Sequence, residues 1–165
     1  MAERMELTRP VFFVGFMGAG QTSVARRLAR TCGVASVDMD TYIERREGKK
    51  VKEIFAEGGE TAFRRLETEA LRELGKRSGI ILSTGGGCVT RSENYPLLHQ
   101  NGTIFWLLRS PWKLPSDGRP LSQAESAEAM YARREPMYRR FVDVKIDNEG
   151  AIERAVEAIA RKVLL

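Results

Sequence analysis

The sequence predicts an α/β fold: a five-stranded parallel sheet with helices on both faces, in a single domain over residues 1–165. Three observations point there. Five short apolar runs recur along the chain with helical patterns between them, as parallel strands joined by crossovers require. The first run leads straight into a glycine-rich turn and a helix start, VFFVGFMGAGQTS. At 165 residues and 42% hydrophobic, the chain can bury one sizeable core.

Val11 to Val14 reads as the first buried strand and Gly15 to Gly20 as the turn. Thr22 opens a helix with Val24, Ala25, Leu28 and Ala29 on one face, closed by Gly33. Val34 to Val37 is a short strand ending in Asp38-Met39-Asp40, followed by a helix from Thr41 to Arg46. Val51 to Glu57 forms another helix, stopped by Gly58-Gly59, and residues 60–77 carry Phe63, Leu66, Ala70 and Leu74 at helical spacing. Ile80 to Leu82 is a strand running into Thr84-Gly85-Gly86-Gly87; Ser92 caps a short helix through Leu98. Thr103 to Leu108 is the fourth strand, and the three prolines of residues 110–121 predict an irregular loop. Helix returns from Ala124 to Arg134, and Pro136 breaks it and opens a second short helix. Val142 to Ile146 is the last strand, and Ile152, Val156, Ile159 and Val163 mark the last helix face.

Composition narrows the function classes. The net charge is +5, and arginine supplies 20 of the 27 basic residues. Arginine suits bidentate recognition of carboxylate and phosphate. Aromatic residues are few and not interleaved with basic clusters, which argues against nucleic acid. No run of 18 apolar residues suggests a membrane span, and the charged N-terminus lacks the apolar core of a secretory signal. Two separated cysteines and one histidine make no zinc site, so a reduced cytoplasmic setting is the expectation, and with no obvious exposed apolar helix a monomer is expected.

Several residues could carry chemistry. Gly15, Gly20 and Thr22 fit the phosphate-loop pattern G-x-x-x-x-G-K-[ST], with Gln21 at its lysine position. Such a turn offers backbone amides and a helix N-terminus to phosphate oxygens, a reading favoured over that of a tight strand-to-helix turn that binds nothing. Asp38 and Asp40, two apart in extended chain, would share a face and divide work between a metal and a hydroxyl, unless Asp40 only caps the next helix. The triple glycine Gly85 to Gly87 permits close approach of a ligand, or is simply a flexible turn. Arg64, Arg119 and Arg139 could bind anions, although each alone reads as an exposed charge. Trp106 reads as core packing, and His99 as a surface residue at a helix end.

Taken together and in order, GFMGAGQTS, VDMD, GETAFRRLE, STGGG, GRPL and PMYRR resemble the motifs of the shikimate kinases, a nucleoside-monophosphate-kinase-like group of P-loop enzymes. The resemblance spans Gly15 to Arg140. It implies transfer of the ATP γ-phosphoryl to the 3-hydroxyl of shikimate, a step of aromatic amino acid biosynthesis. By position it implies that Gly18, Ala19, Gly20, Gln21, Thr22 and Ser23 hold the ATP phosphates. Thr22 would ligate Mg2+, with Asp38 assisting through water. Asp40 would bind and activate the hydroxyl. Arg64 and Arg139 would clamp the shikimate carboxylate with help from Gly85, Gly86 and Gly87, while Arg119 would reach the phosphates from a lid over about 110–121.

This chain departs from that family in two places. Gln21 keeps hydrogen-bond donors but brings no positive charge. The lid is short, with eight residues between Ser110 and Arg119, two of them proline. Three readings follow: an active shikimate kinase, a shikimate-binding relative with weak or lost transfer, or a P-loop kinase for another small carboxylate-bearing acceptor.

Overall fold

The structure is a computed structural model that describes residues 9–15, 19–77, 79–109 and 126–163. Gly18, Arg119 and the expected lid lie outside the described residues.

Five strands form one all-parallel sheet: β1 Val11–Val14, β2 Ala35–Asp38, β3 Ile80–Ser83, β4 Thr103–Leu108 and β5 Val144–Asp147. Their order is β2-β3-β1-β4-β5. The helices are α1 Gln21–Cys32, α2 Met39–Glu47, α3 Val51–Leu74, α4 Asn94–His99, α5 Ala127–Phe141 and α6 Ile152–Val163. A single 3₁₀ turn follows the triple glycine at Cys88–Thr90.

Strand alternation divides the core. Val11, Phe13, Phe105 and Leu107 pack with Val24 and Leu28 of α1 and Val156 and Ile159 of α6. Phe12, Val14, Ile104 and Trp106 face the opposite way, onto Met39, Phe63, Leu71 and Tyr138. Both faces of the central strands are therefore apolar, which explains why β1 reads as an unbroken hydrophobic run. Trp106 is core, as expected, with its ring 5.6 Å from that of Tyr138.

Chain order along the sheet reverses at β1, which pairs with β3 on one side and β4 on the other. Ligands of open parallel sheets collect at the carboxyl ends of strands flanking such a reversal. Here those ends carry Gly15 after β1, with Gly20 at the head of α1, and the turn of Gly85–Gly87 after β3.

Two expectations needed correction. Pro136 does not end a helix: α5 runs unbroken through it. Proline removes only its own N–H, and Met130, Arg134, Tyr138 and Phe141, at spacings of four, four and three, bury one continuous face that holds both halves. Asp38 and Asp40 do not share an extended face either. Asp38 ends β2 and caps α2, accepting from the Thr41 amide at 3.3 Å, whereas Asp40 already lies in the first turn of that helix. The expected glycine break in α3 is present, with Gly59 at φ 72°. That helix ends at Leu74, three residues early.

Candidate active site

The phosphate loop is held by backbone packing as much as by its glycines. A Cβ at Gly15 would sit 2.8 Å from the Leu107 carbonyl of β4, so only glycine lets the strands stay paired there. Gly20 precedes α1 with φ 91°, and no side chain caps the helix. No acid occupies the first turn of α1, so its leading amides at Gln21, Thr22 and Ser23 present a positive end with no competing carboxylate. Asn148, beyond β5, donates from Nδ2 to the Ala19 carbonyl at 2.5 Å and braces the loop from the far side.

Gln21 is only 8% exposed. Its Nε2 donates to the Gly15 carbonyl at 2.8 Å, spanning the turn from end to start, while its Oε1 is buried with no partner. Rotating the amide would set two oxygens against each other, so the donor is committed to Gly15. Thr22 Oγ1 donates to Asp38 Oδ2 at 3.1 Å. That pair gathers oxygen donors at the head of α1, a set that suits a hard divalent cation such as magnesium. Ser23 is exposed at the same helix end.

The second half of the site lies around the other glycine turn. Thr84, fully buried, donates from Oγ1 to the Phe13 carbonyl at 2.7 Å and pins this turn to β1. A Cβ at Gly85 would come 3.6 Å from Asp40 Oδ1 and 3.9 Å from Glu67 Oε2, so both carboxylates flank the turn. Arg64 is buried behind Gly87, donating from Nη1 to Glu67 at 2.6 Å and from Nη2 to Glu60 at 3.1 Å. Burial works against the Arg64 cation, yet Glu67 and Glu60 hold it more firmly protonated than usual. Glu67, 1% exposed, is pushed up to about 7 by burial, with Arg64 pulling down and Asp40 pushing up.

Arg134 of α5 was not singled out by its sequence, yet it is the most unusual cation present. It is 0% exposed, and none of its three guanidinium nitrogens makes a well-aligned hydrogen bond, although the Tyr138 hydroxyl lies beside it. Its charge acts on Glu67, Cys88 and Tyr138. Tyr138, one helical turn later, donates to the Gly86 carbonyl at 2.5 Å, which fixes α5 against the glycine turn. Arg139 is not brought to this site. Its side chain is 58% exposed and paired with Glu135 at 2.6 Å. Five residues past Arg134, it lies roughly 140° round the helix. The spacing of Arg134 to Tyr138, i to i+4 on the buried face of α5, was the signal that distinguishes the two arginines. Glu67, three residues after Arg64, and Asn148 were likewise not singled out.

Asp40, Arg64, Glu67, Arg134 and the triple glycine thus form one cluster of charged side chains around the second glycine turn. Buried cations of this kind, one of them without a well-aligned hydrogen bond, suit a small carboxylate-bearing molecule.

The family model for shikimate kinase matches residues 17–164. The shikimate kinase of Cupriavidus pinatubonensis is 41% identical, the match covering 98% of this chain and 88% of that protein. The shikimate kinase of Moorella thermoacetica is 38% identical over 93% of this chain and 91% of its own length. Among solved structures, shikimate kinase from Acinetobacter baumannii in complex with shikimate superposes with a TM-score of 0.90 at 34% identity, covering 99% of this chain and 97% of that one.

Proposed function

The chain belongs to the shikimate kinase family, and from that premise we propose that it transfers the γ-phosphoryl group of ATP to the 3-hydroxyl of shikimate. The observation that carries the acceptor half is Arg134, a fully buried guanidinium without a well-aligned hydrogen bond, beside Arg64 and the glycine turn. Burying such a charge is costly unless something anionic completes it. A carboxylate of the acceptor does so.

In this reading the loop amides from Gly18 to Ser23 hold the ATP phosphates at the head of α1. Thr22 and Asp38 hold the magnesium ion, which when bound neutralises charge on the β- and γ-phosphates. Arg64 and Arg134, with the amides of Gly85 to Gly87, fix the acceptor's carboxylate; this replaces Arg139 in the clamp. Asp40 accepts the hydrogen bond of the reacting hydroxyl and takes its proton as the new oxygen–phosphorus bond forms and the bond to the ADP leaving oxygen breaks. Arg119, outside the described residues, is assigned to the phosphates on the family resemblance. Positioning and charge neutralisation account for most of the rate in such transfers.

The enzyme is proposed to act as a cytoplasmic monomer. Cys32 and Cys88 are both free and buried, in keeping with a reducing compartment. No helix among the described residues is long and apolar enough to cross a membrane. The test is ADP release from ATP and magnesium with and without shikimate. Shikimate-dependent release supports the assignment, and release indifferent to shikimate rejects it.

A further inference from the structure

We propose that Arg109 supplies the positive charge that the phosphate loop lacks at Gln21, making it a phosphate-binding residue of this chain. The inference rests on the kinase reading above and deepens it.

Gln21 cannot fill the role itself. It is neutral, its Nε2 is engaged by the Gly15 carbonyl, and the free end it offers is a buried carbonyl oxygen, which repels phosphate. A phosphate loop in that state holds anions by amides and helix dipole alone. Phosphoryl transfer concentrates negative charge at the β–γ bridge, so a further cation there, besides the magnesium ion and Arg119, would make up for the charge that Gln21 lacks.

Arg109 is the residue immediately after β4, the strand whose backbone abuts the loop. Val14 pairs with Trp106, and the Leu107 carbonyl lies against Gly15. Leu108 accepts from the Asn148 amide at 2.8 Å, and the same asparagine donates from its side chain to Ala19. One residue therefore ties the backbone next to Arg109 directly to the phosphate loop. Alternation along β4 sends Phe105 and Leu107 to the side of Ala19 and α1, and Trp106 and Leu108 to the other. Continued by one step, it carries Arg109 onto the phosphate-loop side.

Arg109 also carries one uncommitted donor. It is partly buried, and its Nε is shielded from solvent with no hydrogen-bond partner. A buried guanidinium N–H without an acceptor is a standing cost, and phosphate oxygens arriving in the loop would relieve it. An arginine suits this geometry because its fork can bridge oxygens of neighbouring phosphates from outside the loop, where a lysine at position 21 would reach from within.

A double-mutant cycle tests the assignment. Arg109→Met in the native chain should lower kcat/KM for ATP by about 10²–10³-fold, the usual loss for one transition-state donor, and should weaken calorimetric ATP binding. Arg109→Lys should restore most of both. In a Gln21→Lys background, Arg109→Met should cost only a few-fold, because the loop then has its own cation. Equal losses in the two backgrounds, or no loss in either, would overturn the proposal. If no variant phosphorylates shikimate, the acceptor assignment fails, while the ATP affinities of the same four proteins still decide the role of Arg109.

Discussion

Replacing Arg134 with methionine should move stability and substrate recognition in opposite directions. The side chain is 0% exposed and none of its nitrogens makes a well-aligned hydrogen bond, so the free enzyme bears a desolvation that attraction to Glu67 offsets only in part. Methionine has similar length and no charge. Its introduction should raise folding stability by about 1–3 kcal/mol, within the roughly 1–4 kcal/mol gained when buried ionic groups are replaced by apolar ones. The acceptor loses two charge-assisted hydrogen bonds of about 1.5–3 kcal/mol each, so its loss is about 3–6 kcal/mol. At about 1.4 kcal/mol per tenfold, KM for shikimate should rise roughly 10²–10⁴-fold, with KM for ATP little changed. Urea unfolding and steady-state kinetics on the same preparation read both quantities. A variant that is destabilised by several kcal/mol and binds shikimate normally would show that Arg134 is a structural cation, and the acceptor reading would lose its main support.

Three other outcomes follow from the same geometry. Glu67 has its folded pKa raised to about 7, so the folded state holds a proton that the unfolded chain has released. Stability should therefore fall as pH rises from about 4.5 to 7 and level off above, by on the order of 3 kcal/mol. Glu67→Gln should flatten this slope in denaturant titrations across that window; a wild-type profile that rises instead contradicts the assignment. A methyl group at Gly87 would overlap the Arg64 guanidinium, which Glu67 and Glu60 hold in place. Gly87→Ala should cost about 1–3 kcal/mol and raise KM for shikimate, measurable by thermal unfolding and kinetics. Asp40→Asn should lower kcat by roughly 10²–10⁴-fold while calorimetric shikimate affinity changes little; an affinity loss with unchanged kcat would make Asp40 a binding group only.

Contiguous signals were readable because strand, turn and helix follow one another within a few residues. The apolar strand Val11–Val14, the start of α1 after Gly20 and the turn at Gly85 to Gly87 each carry their own local geometry, and the parallel sheet follows from the apolar strands. What depended on helix phase was not readable in the same way. Pro136 looked like a helix start, and a fresh start would reset which residues of α5 face inward. Because α5 continues through it, the inward face runs Met130, Arg134, Tyr138, Phe141, and Arg139 turns out to solvent. The capping role similarly went to Asp38 and not to Asp40, since the helix begins one residue after the strand ends. Contacts made across more than a hundred residues, such as Asn148 to Ala19, leave no local pattern at all.

Whether this loop, with glutamine at position 21, still delivers phosphate to shikimate is read most directly from the product. The native chain would be incubated with ATP, magnesium and shikimate, and the mixture followed by phosphorus and proton NMR. The account predicts one phosphate monoester coupled to the proton on the 3-carbon of shikimate, accumulating in step with ADP. ADP that forms without that ester, or an ester at another hydroxyl, would contradict it.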